Sequence, residues 1–202
     1  RGQCWLELGQ LARAGQVLQA PERPLPPHYE ARRLLLLARL RLWQGLPTDE
    51  ALDQAAQAAP ANGWPEVRMM VDVERAMARD APSCRTALRA VVERAGALGL
   101  EGSVLAAMLP LAMLEASADL ARQALALAER VEPSLRYRAE VFCQAARALR
   151  AAGREDEAQR VGALGLAWVE RTADEQVDAP FRESFLQRNP VNVGLRALIA
   201  PA

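Results

Sequence analysis

Hydrophobic residues recur along most of the chain at steps of three and four, the spacing of an amphipathic α-helix. The clearest stripe follows Ser134 and consists of Leu135, Ala139, Phe142, Ala146 and Leu149. Arginine, glutamate and glutamine take most of the intervening positions. This spacing predicts a helix over residues 134–152 with one face buried.

Proline, glycine, serine and aspartate divide the pattern into predicted helices. These cover residues 3–19, 28–44, 49–59, 64–79, 83–98, 103–115, 117–131, 134–152, 154–171 and 179–187, with breaks at Pro60 and at Asn189-Pro190. Residues 21–27 contain four prolines and are predicted to be a stiff connector or the start of the next helix. Residues 104–114 are apolar all round, which predicts a helix between neighbours, and Pro110 predicts a kink or a break near Leu109.

Composition points to the same fold class. Ile199 is the only isoleucine and aromatic residues are 4% of the chain, so a large sheet lacks suitable residues. No lysine occurs, and the scarcity of residues with AT-rich codons indicates a bacterium with a GC-rich genome. The formal net charge is zero, whereas a DNA-binding domain usually carries a basic excess. We therefore expect an all-α chain that makes no direct contact with nucleic acid.

The segment around Gly153 resembles a tetratricopeptide repeat. Gly153 lies at a turn between two predicted helices and Ala158 follows five residues later, as the repeat requires. A glycine at such a turn adopts the left-handed conformation that ends a helix, and a small alanine lets the next helix approach closely. Two other segments resemble the repeat in part. One contains Trp5, Leu8 and Gly9, with Gly15 as the predicted turn, and the other contains Gly45 as the turn with Glu50 and Ala51 after it. Between residues 64 and 131 the pattern is missing.

The resemblance implies a right-handed superhelix of about four helical hairpins over residues 1–178. Residues 179–202 then form a C-terminal capping helix and tail. Phe181 and Phe185 lie one turn apart and are expected to dock on the hairpin of residues 139–170. Residues 181–192 are also similar to the tail of large bacterial regulatory proteins in which a sensor or ATPase module precedes such repeats.

Motifs for catalysis are missing from the sequence. His28 is the only histidine, and no paired nucleophile and base, phosphate loop or clustered metal ligands can be read. Cys4, Cys84 and Cys143 are far apart and predict small core residues in a reducing cytosol. The four tryptophans predict core or inter-repeat packing. We expect no enzyme, cofactor or metal, no membrane span, and a cytoplasmic location.

Binding residues can be assigned only by analogy. In tetratricopeptide arrays the first helix of each pair lines a concave groove, which places Arg32, Arg39, Glu140 and Arg147 on the groove side. The two arginines form a polar strip for an acidic or carboxylate-bearing partner. The alternative is an ordinary solvated face. The expected function is protein–protein interaction within a bacterial cytosolic regulatory protein such as a transcriptional regulator, with a protein, a peptide or another domain of the same chain as partner. The alternative is a domain that senses a small molecule and signals to an upstream DNA-binding or ATPase module.

Overall fold

A computed structural model describes residues 1–19, 21, 23–59 and 64–200 of the 202-residue chain. Within these residues every regular element is a helix, which confirms the all-α prediction. The twelve helices are α1 (Gly2–Glu7), α2 (Leu11–Gln19), α3 (Pro27–Trp43), α4 (Asp49–Ala58), α5 (Pro65–Met77), α6 (Ala81–Ala97), α7 (Glu101–Leu114), α8 (Ala118–Ala128), α9 (Ala139–Ala151), α10 (Glu155–Glu175), α11 (Ala179–Arg188) and α12 (Pro190–Ile199).

Five helices end in the same left-handed turn. Gly9, Gly45, Gly99 and Gly153 have φ between 68° and 72°, and Ala116 takes the same role at φ 47°. In each turn the amide of this residue and the amide that follows it donate hydrogen bonds back into the last turn of the helix. These two hydrogen bonds satisfy backbone carbonyl groups that have no partner within the helix. The predicted turns at Gly45 and Gly153 are therefore confirmed.

A small buried residue follows most of these turns. Ala14, Ala121 and Ala158 each stand five residues after the turn residue, and all three are at most 2% exposed. Ala51 follows its turn after six residues and is 1% exposed. The second helix of each pair approaches closely at this position because an alanine side chain takes little room. The combination of a left-handed turn residue and a buried alanine five residues later therefore also occurs at Ala116 and Ala121. The sequence did not indicate this turn because it contains no glycine.

Two predicted helices are wrong at their N-terminal side. Residues 3–19 form two helices, because the chain turns at Gly9, and Gly15 lies buried inside α2 rather than at a turn. Helix α9 begins at Ala139, not at Ser134, and Leu135 lies before it with φ 51°. Both errors arose because the apolar spacing continues across a short break in the backbone.

Two proline positions also differ from expectation. Helix α7 continues through Pro110, so the predicted break is wrong. The predicted helix end at Asn189-Pro190 is confirmed, because α11 ends at Arg188, but the same residues also start α12, which was not predicted. The Asn189 side chain accepts hydrogen bonds from the amides of Val191 and Asn192, and Pro190 occupies the first helical position. The expected stop at Pro60 and the last two residues of the predicted tail lie outside the described residues, as does part of the predicted connector over 21–27.

The helices pack in a regular order. The odd-numbered helices contact one another in sequence from α1 to α9, and each even-numbered helix from α2 to α8 contacts the odd-numbered helix that follows it. Helix α12 packs on both α9 and α10, with Phe185 2% exposed among Val169, Ala173 and Leu195. The tail is thus docked on the hairpin of α9 and α10, as expected.

Helix α1 and the turn after it also contact α11 and Asn189. The Ser184 hydroxyl donates to the carbonyl of Leu8 at 2.7 Å, and the Asn189 amide nitrogen donates to the carbonyl of Glu7 at 2.7 Å. The ring of Trp5 meets Phe181 edge-on at 5.7 Å. We call this contact between residues 5–10 and 181–189 the closing contact, because it joins the two ends of the series of helices into a ring.

Candidate functional site

A cavity of about 330 Å³ lies inside this ring. Its lining comes from α3, α5, α7, α9 and α12, together with Arg136, which precedes α9. The polar lining residues are Arg39, Glu74, Arg136, Glu140, Gln144 and Arg147. Apolar lining is supplied chiefly by Leu42, Trp43, Met77, Pro110 and Met113. We call this space the inner cavity.

Four of the polar residues form an alternating network of charges. Glu74 lies 3.3 Å from Arg39 and 2.9 Å from Arg136. Glu140 lies 3.4 Å from Arg39 and 3.3 Å from Arg136. Arg39 also donates to the Leu135 carbonyl at 3.0 Å, which the left-handed backbone of Leu135 presents to it. Each charge therefore has two opposite charges beside it.

Burial and pairing act on these charges in opposite directions. The four side chains are between 6% and 17% exposed, and removing a carboxylate from water favours its neutral form. For Glu74 this burial is the largest single influence, but Arg136 and Arg39 together outweigh it and hold the pKa of the carboxyl below its ordinary value. Burial likewise opposes the charge on Arg39, and Glu140 and Glu74 more than offset it, so its pKa is raised. Both directions favour the charged forms of Glu74 and Arg39.

The structure brings three of the four predicted groove residues together. Arg39, Glu140 and Arg147 all line the inner cavity. Arg39 and Glu140 are not on a solvated face, since their side chains are 11% and 8% exposed within the network. Arg147 is exposed and does not join the network, and its guanidinium lies against Gly194 of α12.

Sequence reasoning missed Glu74 and Arg136. Glu74 lies 35 residues after Arg39 in the sequence, and Arg136 lies 62 residues after Glu74. Arg136 was read as part of the polar face of a helix that in fact begins three residues later. An apolar stripe shows which side of a helix is buried, but not which distant charge it meets there.

Arg32 lines a space of about 10 Å³ together with Arg39 and Glu74, and it also lines an open cleft of about 830 Å³ bounded by α1, α2 and α3. We call this open cleft the outer cleft. Among the described residues, four arginines line it, Arg1, Arg23, Arg32 and Arg33, with one carboxylate, that of Glu7. Arg32 donates to Gln3 at 2.8 Å, and Gln3 donates to Glu7 at 2.8 Å. Burial raises the pKa of Glu7, which the hydrogen bond from Gln3 partly offsets.

Three aromatic rings lie in contact at the edge of the outer cleft. Tyr29, 55% exposed, lines it, and the His28 ring lies 4.0 Å from the Tyr29 ring and 4.3 Å from Trp64. Trp64 is 59% exposed, so of the two roles expected for the tryptophans, core packing and packing between repeats, it does not take the first. Cys84 and Cys143 are buried as expected, but Cys4 is exposed.

Neither a membrane span nor a metal site occurs in the part of the chain that the structure describes. Among the described helices none is long and apolar enough to cross a membrane, and in the same residues no cluster of histidine, cysteine and carboxylate side chains is arranged to hold a metal ion. No family model, curated protein or solved structure matches the chain.

Proposed function

We propose that the chain is a protein–protein interaction module of a larger bacterial cytosolic regulatory protein, such as a transcriptional regulator. In this proposal the helices form a right-handed, tetratricopeptide-like superhelix with residues 179–202 as its cap. The consecutive packing of helix pairs and the repeated turn at Gly9, Gly45, Ala116 and Gly153 support it. The partner is a protein, a peptide or another domain of the same chain.

The outer cleft carries the proposal. Among the described residues its lining has four arginines and one glutamate, and Arg33 is paired with Glu30 at 2.6 Å, so the other three arginines favour an acidic segment by charge. Tyr29, Leu25 and Val17 add side chains that are between 37% and 55% exposed, and exposed tyrosine is enriched among residues that dominate binding energy. Because Arg32 bonds only to the neutral Gln3 among the described residues, its charge is available to a carboxylate of the partner.

The test compares partners captured from the native cytosol by four versions of the chain. Tyr29→Ala and Arg32→Glu change the outer cleft, whereas Arg89→Glu changes an exposed arginine on α6 as a control. A specific partner should be captured by the unaltered chain and the control, and lost with both cleft variants. Its capture should weaken at high salt, since exposed charges are screened. Capture that is equal for all four versions would refute the role of the cleft.

A second function, the sensing of a small molecule, is favoured by the inner cavity. A volume of about 330 Å³ is within the range of small-ligand sites, and the cavity combines apolar walls with a few charged groups. Helices α3, α5, α7, α9 and α12 all contribute to its lining, so a ligand there would contact five helices at once. A thermal-shift screen of metabolites tests this function, because a bound ligand stabilises the folded state by mass action.

A further inference from the structure

The charges that line the inner cavity do not cancel. Among the described residues, three arginines and two glutamates line it. The network pairs Arg39 and Arg136 with Glu74 and Glu140, so these four charges balance one another. Arg147 is the remaining charged residue of the lining, and it forms no ion pair with a described residue. The lining therefore carries one positive charge in excess, and a cavity with such an excess attracts an anion.

Arg147 is also the cation that an anion in the cavity can reach. It lies on α9, its side chain is exposed, and its guanidinium lies against Gly194 of α12. Arg39 and Arg136 are only 11% and 6% exposed, and each already has two carboxylates beside it. A guanidinium offers two parallel N–H donors that match the two oxygens of a carboxylate. The anion that suits this position is a carboxylate.

The wall that α3, α5 and α7 supply to the cavity is apolar. Leu42 is 61% exposed and Met77 is 39% exposed, and the buried or half-buried Trp43, Pro110 and Met113 complete the wall. Ligand sites in proteins combine such apolar walls with a few polar groups that fix the orientation of the ligand. At about 30 Å³ for a group the size of water, the volume of about 330 Å³ holds roughly ten non-hydrogen atoms.

We propose that the inner cavity binds a monocarboxylate with an apolar body, such as a medium-chain fatty acid. Arg147 pairs with the carboxylate, and the apolar chain lies on Leu42 and Met77. Both contacts use side chains that the fold leaves exposed. This inference rests on the second proposed function, the sensing of a small molecule, and names the class of ligand.

Isothermal titration calorimetry with the full chain tests the charge and the apolar body separately. Octanoate carries both groups, octan-1-ol has no charge, octylammonium has the opposite charge, and acetate has almost no apolar body. Octanoate should bind. Because a hydrogen bond to a charged group is worth about tenfold or more in affinity, octan-1-ol and octylammonium should bind at least about tenfold more weakly. Acetate should not bind at millimolar concentration, because it covers none of the apolar wall.

Variants locate the site. Arg147→Gln removes the cation and Leu42→Glu places a negative charge on the apolar wall, so each should weaken octanoate binding by at least about tenfold. Arg147→Lys keeps the charge and should bind octanoate more tightly than Arg147→Gln. The exposed Arg89 lies outside the cavity, so Arg89→Gln should leave binding unchanged. Unaltered circular dichroism of each variant shows that it is folded.

Three results would overturn the inference. Octanoate does not bind at millimolar concentration, octan-1-ol binds as tightly as octanoate, or Arg147→Gln binds octanoate as tightly as the unaltered chain. In each case the thermal-shift screen decides what remains of the second proposed function. A metabolite of another class whose binding is lost in Leu42→Glu would leave the sensing function in place and refute only the carboxylate. If no metabolite binds, the sensing function is refuted as well.

Discussion

Replacing Gly9 by alanine tests whether the ring is closed by the closing contact. An alanine Cβ at this position would overlap the carbonyl oxygen of Ser184 and would stand 2.8 Å from the amide nitrogen of Asn189. Both are backbone atoms, so α11 and α12 must move away or Gly9 must leave its φ of 69°. Gly45 provides a matched control, because its φ is 68° and a Cβ there meets no atom within 4 Å.

The expected magnitudes separate the two variants. Alanine in the left-handed conformation costs about 1 kcal/mol, and this applies equally to Gly9→Ala and Gly45→Ala. Gly9→Ala should also break the hydrogen bonds that Leu8 and Glu7 accept from Ser184 and Asn189, at about 1 kcal/mol each. We expect a loss of about 3 kcal/mol for Gly9→Ala and about 1 kcal/mol for the control.

Urea unfolding followed by far-UV circular dichroism measures the difference. The midpoint for Gly9→Ala should fall well below that for Gly45→Ala, and the altered chain should be cut more readily by protease near residues 181–189. Equal midpoints for the two variants would refute the reasoning, because the contact with α11 and α12 would then contribute nothing beyond the local strain.

Three further predictions concern buried groups. Glu74→Gln should lower the free energy of unfolding by about 3 kcal/mol, because it leaves buried arginines without their charged partner. The control Asp119→Asn, at a side chain 83% exposed, should change it by less than about 0.5 kcal/mol, and comparable losses for the two variants in urea unfolding would contradict the prediction. Because the pKa of Glu74 is lowered in the folded chain, the stabilisation that its carboxylate provides is fully present above pH 4.5, the ordinary pKa, and is lost as the pH falls through the lowered pKa of the folded state. Thermal unfolding at a series of pH values should show this loss of stability, and Glu74→Gln should reduce it. Phe185→Ala should cost about 3–5 kcal/mol because the ring is 2% exposed, and an unchanged melting temperature would show that the tail is not part of the core.

Local features of the fold could be predicted from the sequence, because they depend on neighbouring residues. Gly45 and Gly153 were identified as turns because a glycine between two amphipathic helical segments favours the left-handed conformation that ends the first helix. Ala116 was missed because its turn lacks that signal. Asn189-Pro190 both ends α11 and starts α12, and the second role was missed because the ten residues of α12 gain their support from packing on α9 and α10.

The candidate site could be predicted only in part. Arg39, Glu140 and Arg147 were placed on the groove side by analogy, and they do line one cavity. Their roles differ because Arg39 and Glu140 meet Glu74 and Arg136, whose positions depend on the packing of α3, α5 and α9. Arg32 has the same helical phase as Arg39, but it lies about two turns away along α3, where α1 and α2 form the outer cleft beside it.

The closing contact also has a consequence for the order of folding. Helix pairs such as α9 and α10 are close in sequence and can form early, whereas the bond between Ser184 and Leu8 joins residues 176 apart. Contacts of such long separation carry a large loop-closure entropy, so this bond should be absent from the transition state and form last. Weakening it should therefore accelerate unfolding and leave the folding rate nearly unchanged. The lifetime of the native chain, rather than its speed of formation, is the property that this contact controls.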